Sequence, residues 1–510
     1  MMKSSQDLAR PSIWPETLAV AALWAAWFAW FYRLWPMWDD HAVYQLMAAS
    51  WLQGGKPYVD AIDPNWPGAM LLHGIAFAVS GYQAWGFRLL DAALQIGLAA
   101  VTFYWLAAWR VDRLWRATAV ALYTITYFNG TFGTMGQREG LALPFLVLGL
   151  LPWLLPAKPA RAFSWGRLIF VHGACLGMAV CVKPPMGVAM VVVGLTSLAV
   201  RQITVREWLR FVVAGAMGGV LWLSVMAAIL AQAGGLEAFW HWGVKFAFSD
   251  YVVETVPWAK RGAHIAKWLM TTGALTSMVV LLGFFLWQRK RAAWTPLLSL
   301  LVGLVAGFLL EALVQGKTYC LYHFLPFLWA LTALGAVLLD RAELPLAARQ
   351  RGWLYAGIGG LLLLCGIGYS RKPYEMTSGA KLGQQLRGEL RPGESVVIVG
   401  FAPTLYLSLE AQPPYPILNS MLFYVLNEAA QEEEESRLIS ILSDPRRRFF
   451  MIDSIVFETK RPWTRVDRRP RLAVFLREHF HAPKIRQVRG NPLEFAEPVE
   501  YLIYERQPGK

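Results

Sequence analysis

Between Thr17 and Tyr369 the apolar residues come in runs about as long as a helix needs to cross a bilayer, about 20 residues within a range of about 17 to 25. Short connections between the runs carry most of the charge. Candidate spans lie at Thr17–Leu34, Ala84–Trp109, Ala117–Gly130, Leu141–Leu155, Leu168–Val182, Pro185–Val200, Phe211–Ala231, Ile265–Trp287, Thr295–Leu313, Cys320–Leu339 and Trp353–Tyr369. Several are short, as expected of helices that stop below the membrane surface beside a cavity. The first 370 residues hold 16 acidic and 27 basic side chains, and the last 140 hold 18 and 21. The first part is thus too apolar for a water-soluble enzyme, while the tail has an ordinary soluble composition. This excludes disorder, a disulfide scaffold and a single soluble domain. It divides the chain into a membrane domain, 1–370, whose first large loop is 37–83, and a tail domain, 371–510. Cys175, Cys181, Cys320 and Cys365 fall inside apolar runs without metal-ligand spacing and read as small core residues.

Orientation follows from the basic residues, which gather at cytoplasmic helix ends. The doubtful segment is Pro67–Gly81, apolar but only 15 residues long. If it does not span, the connections on one side hold 17 Lys and Arg and those on the other hold 7. Counting it as a span scrambles that asymmetry. It is therefore expected to be a re-entrant or interfacial helix. That gives about 11 transmembrane helices, a cytoplasmic N-terminus and a C-terminal domain outside. Trp35-Pro36-Met37-Trp38 reads as an interfacial anchor rather than a signal-peptide cleavage site. Of the net charge of +14, +11 belongs to the first 370 residues and is accounted for by these flanking cations. No basic run interleaved with aromatics marks a nucleic-acid partner.

The tail shows a buried-strand pattern at Ser395–Phe401 after the turn Arg391-Pro-Gly-Glu394, a second at Arg448–Asp453 and a third at Val499–Tyr504. Ser436–Leu442 reads as helical after the acidic run Glu432–Glu435, which is expected to be a solvated helix start. The whole is an all-α polytopic membrane protein with a small extracytoplasmic α/β domain.

Eight of the 16 acidic residues of the first 370 fall on the non-cytoplasmic side, four of them in the first loop: Asp39, Asp40, Asp60 and Asp63. Asp39 and Asp40 open a helical segment that Gly54-Gly55 terminates. Adjacent carboxylates at the mouth of an apolar bundle repel and lose hydration; both effects raise a carboxyl pKa and can prepare a general base. The same pair also suits a helix N-terminus, and spacing leaves both readings open. A second cluster, Gly136-Gln137-Arg138-Glu139-Gly140, places an arginine and a glutamate at a membrane boundary, costly unless they pair or meet a ligand. The planar arginine fork suits a phosphate. Lys183, in Val182-Lys-Pro-Pro185, and Lys317, in Gly316-Lys-Thr-Tyr-Cys-Leu-Tyr-His323, lie in turns of the same side. Glu311 sits within a span near its outer end, and Asp91 follows Arg88 by three residues on another. His323 and Tyr319 are four residues apart, on one helical face. No HExxH, CxxC, Walker A or GxSxG motif occurs.

These residues resemble a known superfamily. Trp38-Asp-Asp-His-Ala-Val-Tyr44, Gly54-Gly-Lys-Pro-Tyr-Val-Asp60 and Asp63-Pro-Asn-Trp-Pro-Gly68 resemble the first periplasmic loop of GT-C membrane glycosyltransferases, in particular the protein-mannosyltransferase-like family 39 and the aminoarabinose transferases acting on lipid A. Gly136–Glu139, Lys183-Pro-Pro185, Lys317–His323 and the tail segment Val399–Tyr406 are similar to motifs of bacterial members. The chain departs from the pattern in having Asp39-Asp40 for Asp-Glu and Asn65-Trp66-Pro67 for a Lys/Asn-Pro-Pro turn.

The resemblance implies a GT-C fold in a bacterial inner membrane. The implied reaction is transfer of a sugar from a polyprenyl-phosphate-linked donor to a lipid, polysaccharide or protein acceptor at the periplasmic face, with inversion. Asp39 is then the base and Asp40 orients the acceptor or shares that role. Arg138, Lys183, Lys317, Gln137 and His323 face the donor phosphate. Tyr58, Asp60, Asp63, Asn65, Glu139, Tyr319 and Glu311 face sugar or acceptor. No cofactor is certain, and a divalent metal stays open, since the acidic loop could hold one although no ligand spacing demands it. Two other classes stay open. A transporter or lipid flippase predicts related halves and midplane charges, and a polysaccharide polymerase or ligase predicts its decisive residues in a late loop such as Ala233–His264.

Overall fold

A computed structural model describes residues 12–130, 132–200, 203–249, 256–290, 292–316, 320–372, 374–418, 428–453, 469–491 and 498–509. The chain divides into two compact units. One comprises Met1–Tyr32, Asp91–Ser224 and Thr255–Lys372; the other comprises Arg33–Leu90, Val225–Glu254 and Pro373–Lys510.

Every apolar run of the sequence is occupied by a helix: Trp14–Trp30, Ala84–Ala108, Arg113–Asn129, Arg138–Leu154, Trp165–Val182, Met186–Ala199, Val205–Gln232, Ala274–Lys290, Pro296–Val314, Leu321–Arg341 and Ala348–Ser370. Among the described residues, six are long and apolar enough to cross a membrane alone. The expected span Ile265–Trp287 is corrected: it is two helices, Trp258–Thr271 and Ala274–Lys290, bent by 90°. The break falls at Thr272-Gly273, where the glycine backbone lies against Leu328 and a Cβ would sit 3.1 Å from that side chain. Counted as one span, this pair brings the total to seven. The remaining helices, such as Arg113–Asn129 and Arg138–Leu154, have 17 residues or fewer, or about 25 Å of rise at most, short of a full hydrocarbon core.

In the first unit, close helix packing rests on small residues. A Cβ on Gly173 would lie 2.8 Å from Gly218 Cα, and one on Gly177 would lie 2.9 Å from Gly219 Cα. The helices Trp165–Val182 and Val205–Gln232 therefore touch backbone to backbone, the arrangement that packs helices where lipid removes the hydrophobic drive. Trp24, Trp27, Tyr32, Tyr127 and Phe128 fill another seam with tilted and edge-on rings.

The second unit is built on a four-stranded sheet of order β1-β2-β4-β3, with β1 Ser395–Val399, β2 Arg447–Asp453, β3 Lys484–Val488 and β4 Val499–Glu505. β1 and β2 are parallel, and the other pairs are antiparallel. Three strands fall where the sequence places them. β3 was not expected, because Lys-Ile-Arg-Gln-Val is mostly polar and exposed, the composition with which proteins blunt an edge strand.

Alternation along β1 sends Val397 and Val399 to one core with Phe450, Ile452, Leu438 and Leu472. Val396 and Ile398 go to the other face, where they join Phe449, Met451, Leu405 and Tyr406 and, from the first loop, Val43, Leu46, Met47, Tyr58 and Met70. The 37–83 stretch thus shares a core with the tail. Half of the acidic run needs correction: within the helix Glu428–Leu442, Glu432 and Glu433 are exposed as expected, while Glu434 and Glu435 are buried. Glu434 accepts from Tyr415 Oη at 2.8 Å, and Glu435 accepts from the Leu472 N–H at 2.9 Å. They are structural acceptors rather than solvated charges.

Candidate active site

In the first loop, Trp38 is extended (φ −81°, ψ 161°) and the chain then turns into the helix Asp39–Leu52. Asp39 and Asp40 occupy its first turn, where the unpaired backbone N–H groups favour carboxylates. Gly54, at φ +93°, ends the helix in a conformation that only glycine takes without strain. So far this is an N-terminal acidic pair.

Burial distinguishes Asp39. It is 1% exposed, and its Oδ1 accepts from Thr404 Oγ1 at 2.9 Å. Thr404 in turn accepts from Thr377 Oγ1 at 2.9 Å, and Thr377 caps the helix Ser378–Glu389. A short hydroxyl chain from the tail therefore ends on the carboxylate. Asp40 is half-buried.

One turn on, His41 takes the Trp38 N–H on Nδ1 at 3.3 Å. His73, from the helix Pro67–Ser80, meets Gln45 Oε1 at 3.0 Å through Nδ1, and Gln45 donates to the Gly81 carbonyl at 2.8 Å. That helix has 14 residues, too short to span, in keeping with the interfacial reading. Both histidines flank Phe87, at 4.8 and 4.5 Å between ring centroids. Burial, reinforced by the Arg88 charge, holds His41 well below the ordinary imidazole value and His73 down at about 3.

The other polar residues of the loop are tied into its own fold. Tyr58, a non-glycine at φ +63°, donates to the Asn65 carbonyl at 2.8 Å. Asp60 accepts from the Lys56 N–H at 2.7 Å. Asp63 accepts from the Asn65 N–H at 2.9 Å, and Asn65 Nδ2 reaches Tyr44 Oη at 3.1 Å. The Ile62 N–H donates to the Pro416 carbonyl at 2.7 Å, fastening the loop to the tail.

The first unit brings together a second group. Glu139 Oε1 lies 2.6 Å from Lys183 Nζ and 2.5 Å from His323 Nδ1, all three buried. Arg138 and Glu311 act electrostatically on this cluster. Arg138 starts the helix Arg138–Leu154 and is half-buried. Gln137 turns back to donate to the Gly133 carbonyl at 2.9 Å, and Glu311 accepts from Gln315 Nε2 at 2.5 Å. The ion pair between Glu139 and Lys183 compensates two buried charges that would be costly apart. Lys317 and Tyr319 lie outside the described residues. Asp91 accepts from Tyr127 Oη at 2.7 Å and from Tyr32 Oη.

Sequence reasoning missed Thr404 as partner of the carboxylate, Thr377 behind it, and the Gln45–His73 pair whose imidazole stacks with that of His41. Thr404 falls inside the quoted Val399–Tyr406 motif, but nothing in its spacing points to a residue in the first loop. Among the described residues, no group of three or more His, Cys, Asp or Glu side chains is arranged to hold a metal ion.

The fold belongs to a recognised class. The chain is similar to the crystal structure of ArnT from Cupriavidus metallidurans bound to undecaprenyl phosphate, with a TM-score of 0.60 at 14% identity, over 96% of this chain and 98% of that one. It also matches the archaeal oligosaccharyltransferase AglB from Archaeoglobus fulgidus, solved with an inhibitory peptide and a dolichol-phosphate, at TM-score 0.48 and 11% identity over 92% and 73% of the two chains. No family model matches the chain, and no curated protein matches its sequence. The chain shares the fold of that ArnT structure, a mostly helical protein with several long apolar helices and a small C-terminal sheet.

Proposed function

We propose that this protein transfers a glycosyl group from a polyprenyl-phosphate-linked sugar to an acceptor at the periplasmic face of a bacterial inner membrane, with inversion, using Asp39 as general base. The observation that carries the proposal is Asp39 itself: a carboxylate withdrawn from water at a helix N-terminus and oriented by a buried hydroxyl, in a loop whose Asp60 and Asp63 accept from its own backbone. The fold shared with a protein solved with undecaprenyl phosphate supports a lipid-phosphate carrier as donor.

The step is a displacement. The acceptor oxygen or nitrogen bonds to the anomeric carbon while that carbon's bond to the phosphate oxygen breaks. The electron pair departs with the lipid phosphate, and the acceptor's proton passes to Asp39. Arg138 stabilises the charge gathering on the departing phosphate. Lys183 is already paired with Glu139, so it tunes the cluster's charge rather than acting as a full cation. Asp40 orients the acceptor. The tail lies outside, with the N-terminus in the cytoplasm.

The test uses membranes fed a polyprenyl-phosphate sugar. Asp39→Asn is expected to cut transfer by about a thousandfold or more, at the scale of losing a base within the usual range of about 10² to 10⁴, with the donor still bound. Undiminished transfer in both Asp39→Asn and Asp40→Asn removes the proposed base.

A further inference from the structure

A cavity of about 570 Å³ lies in the first unit, away from the residues above. It is bounded by the helices Trp14–Trp30, Arg113–Asn129 and Ala348–Ser370, with Phe103 at its back. Ala19, Leu23, Val120, Ile358, Gly359 and Leu362 make most of its wall apolar. Glu16 and Arg113 give it a charged end.

That end is a three-residue ion cluster. Glu16 Oε1 lies 3.0 Å from Arg113 Nε and 3.1 Å from Arg116 Nη2. The side chains of Glu16 and Arg116 are only 6% and 8% exposed, and Arg113 is 56% exposed. Asp112 also acts on Arg116 and is itself paired with Arg351 at 2.7 Å, so three guanidinium groups meet two carboxylates and one positive charge remains. Arg116 Nε and Nη1 are buried without a hydrogen-bond partner, and a buried guanidinium with unused donors is costly to leave so.

We propose that this cavity is a binding site for an anionic phospholipid, with an acyl chain along the apolar wall and the phosphate on Arg113 at its charged end, where Arg116, outside the lining and paired with Glu16, adds to the positive field. A volume of this size, apolar along its length and cationic at one end, fits an amphiphile. A phosphate supplies the single negative charge that balances the cluster and accepts from the exposed guanidinium of Arg113. A zwitterionic headgroup brings a second cation to a place already positive. Basic pockets between transmembrane helices recognise anionic headgroups in this way. The site is distinct from the proposed donor residues: Arg113 and Arg116 belong to the connection Arg110–Arg116, on the basic side of the charge count, whereas Arg138 and Lys183 belong to turns of the other side.

The test is native mass spectrometry of the detergent-purified full chain titrated with phosphatidylglycerol or phosphatidylcholine of identical acyl chains. Two variants separate the ends of the site. Arg113→Gln removes the exposed cation. Gly359→Leu adds bulk to the cavity's wall at a position where a Cβ meets nothing within 4 Å. The expected result is one saturable phosphatidylglycerol per chain, binding at least about tenfold more tightly than phosphatidylcholine, with each variant losing about tenfold. Equal affinity for the two lipids, or unchanged phosphatidylglycerol affinity in Gly359→Leu, overturns the proposal. Circular dichroism of the lipid-free variants checks folding; if Arg113→Gln unfolds, the comparison of lipids and Gly359→Leu decides alone.

Discussion

A carboxylate that accepts one hydroxyl hydrogen bond in a water-poor place has its plane fixed, and Thr404 does this for Asp39. Replacing Thr404 by Val keeps the volume and removes the donor. The expected outcome is a fall in kcat of about 10- to 100-fold, of the order of a lost hydrogen bond to a charged group, with KM for the donor little changed. The acidic limb of the pH–rate profile should move to higher pH, because a hydrogen bond to the charged form no longer favours it. Thr404→Ser should restore both, and a variant that loses activity with an unmoved pH profile returns Thr404 to packing. Nearby, His41 and His73 are neutral in the folded protein. With folded pKa values below the unfolded one, the unfolded chain takes up protons first as pH falls. Stability is therefore complete above about 6.5 and declines as pH drops toward about 3. Replacing both histidines by Gln should flatten the unfolding temperature between pH 6.5 and 4. At this scale the sequence made the Asp39–Asp40 pair and the Gly54 stop readable, since both are local. Thr404 was not readable, because its partner lies 365 positions away.

At the scale of elements, the apolar runs located every long helix, since lipid-length hydrophobicity is a strong and local signal. Whether two such helices can approach closely depends on glycines that pattern alone does not rank. Gly173 and Gly218 fall in this class: a Cβ on Gly218 would lie 2.2 Å from the Ile169 carbonyl oxygen, a backbone atom that cannot move aside. Gly218→Val should separate the helices Trp165–Val182 and Val205–Gln232 and lower the unfolding temperature in detergent, by about 1–3 kcal/mol of stability as for other overpacking substitutions. Gly359→Leu, on an open wall, should not. A Gly218→Val protein as stable as the parent would mean the two backbones are not in contact. The bend at Thr272-Gly273 and the edge strand β3 escaped the pattern for related reasons: a kink needs a neighbour such as Leu328, and an exposed strand needs no apolar alternation.

At the scale of the whole molecule, the first loop and the tail are far apart in sequence yet fill one core, Met47 and Met70 packing with Met451 and Tyr406. The proposed orientation puts both on one side of the membrane. A reporter active only outside the cytoplasm should be active when fused after Lys510 and silent when placed at Lys290; the reverse result inverts the topology. The hydroxyl chain from Thr377 through Thr404 to Asp39 has a further consequence for the order of events in the cell. The ribosome delivers the acid long before it delivers the threonines, so a growing polypeptide carries an unheld carboxylate until its late segments have been exported and folded. Full activity then waits for completion, and unfinished chains stalled in the translocon are slowed by at least the about 10- to 100-fold expected of Thr404→Val.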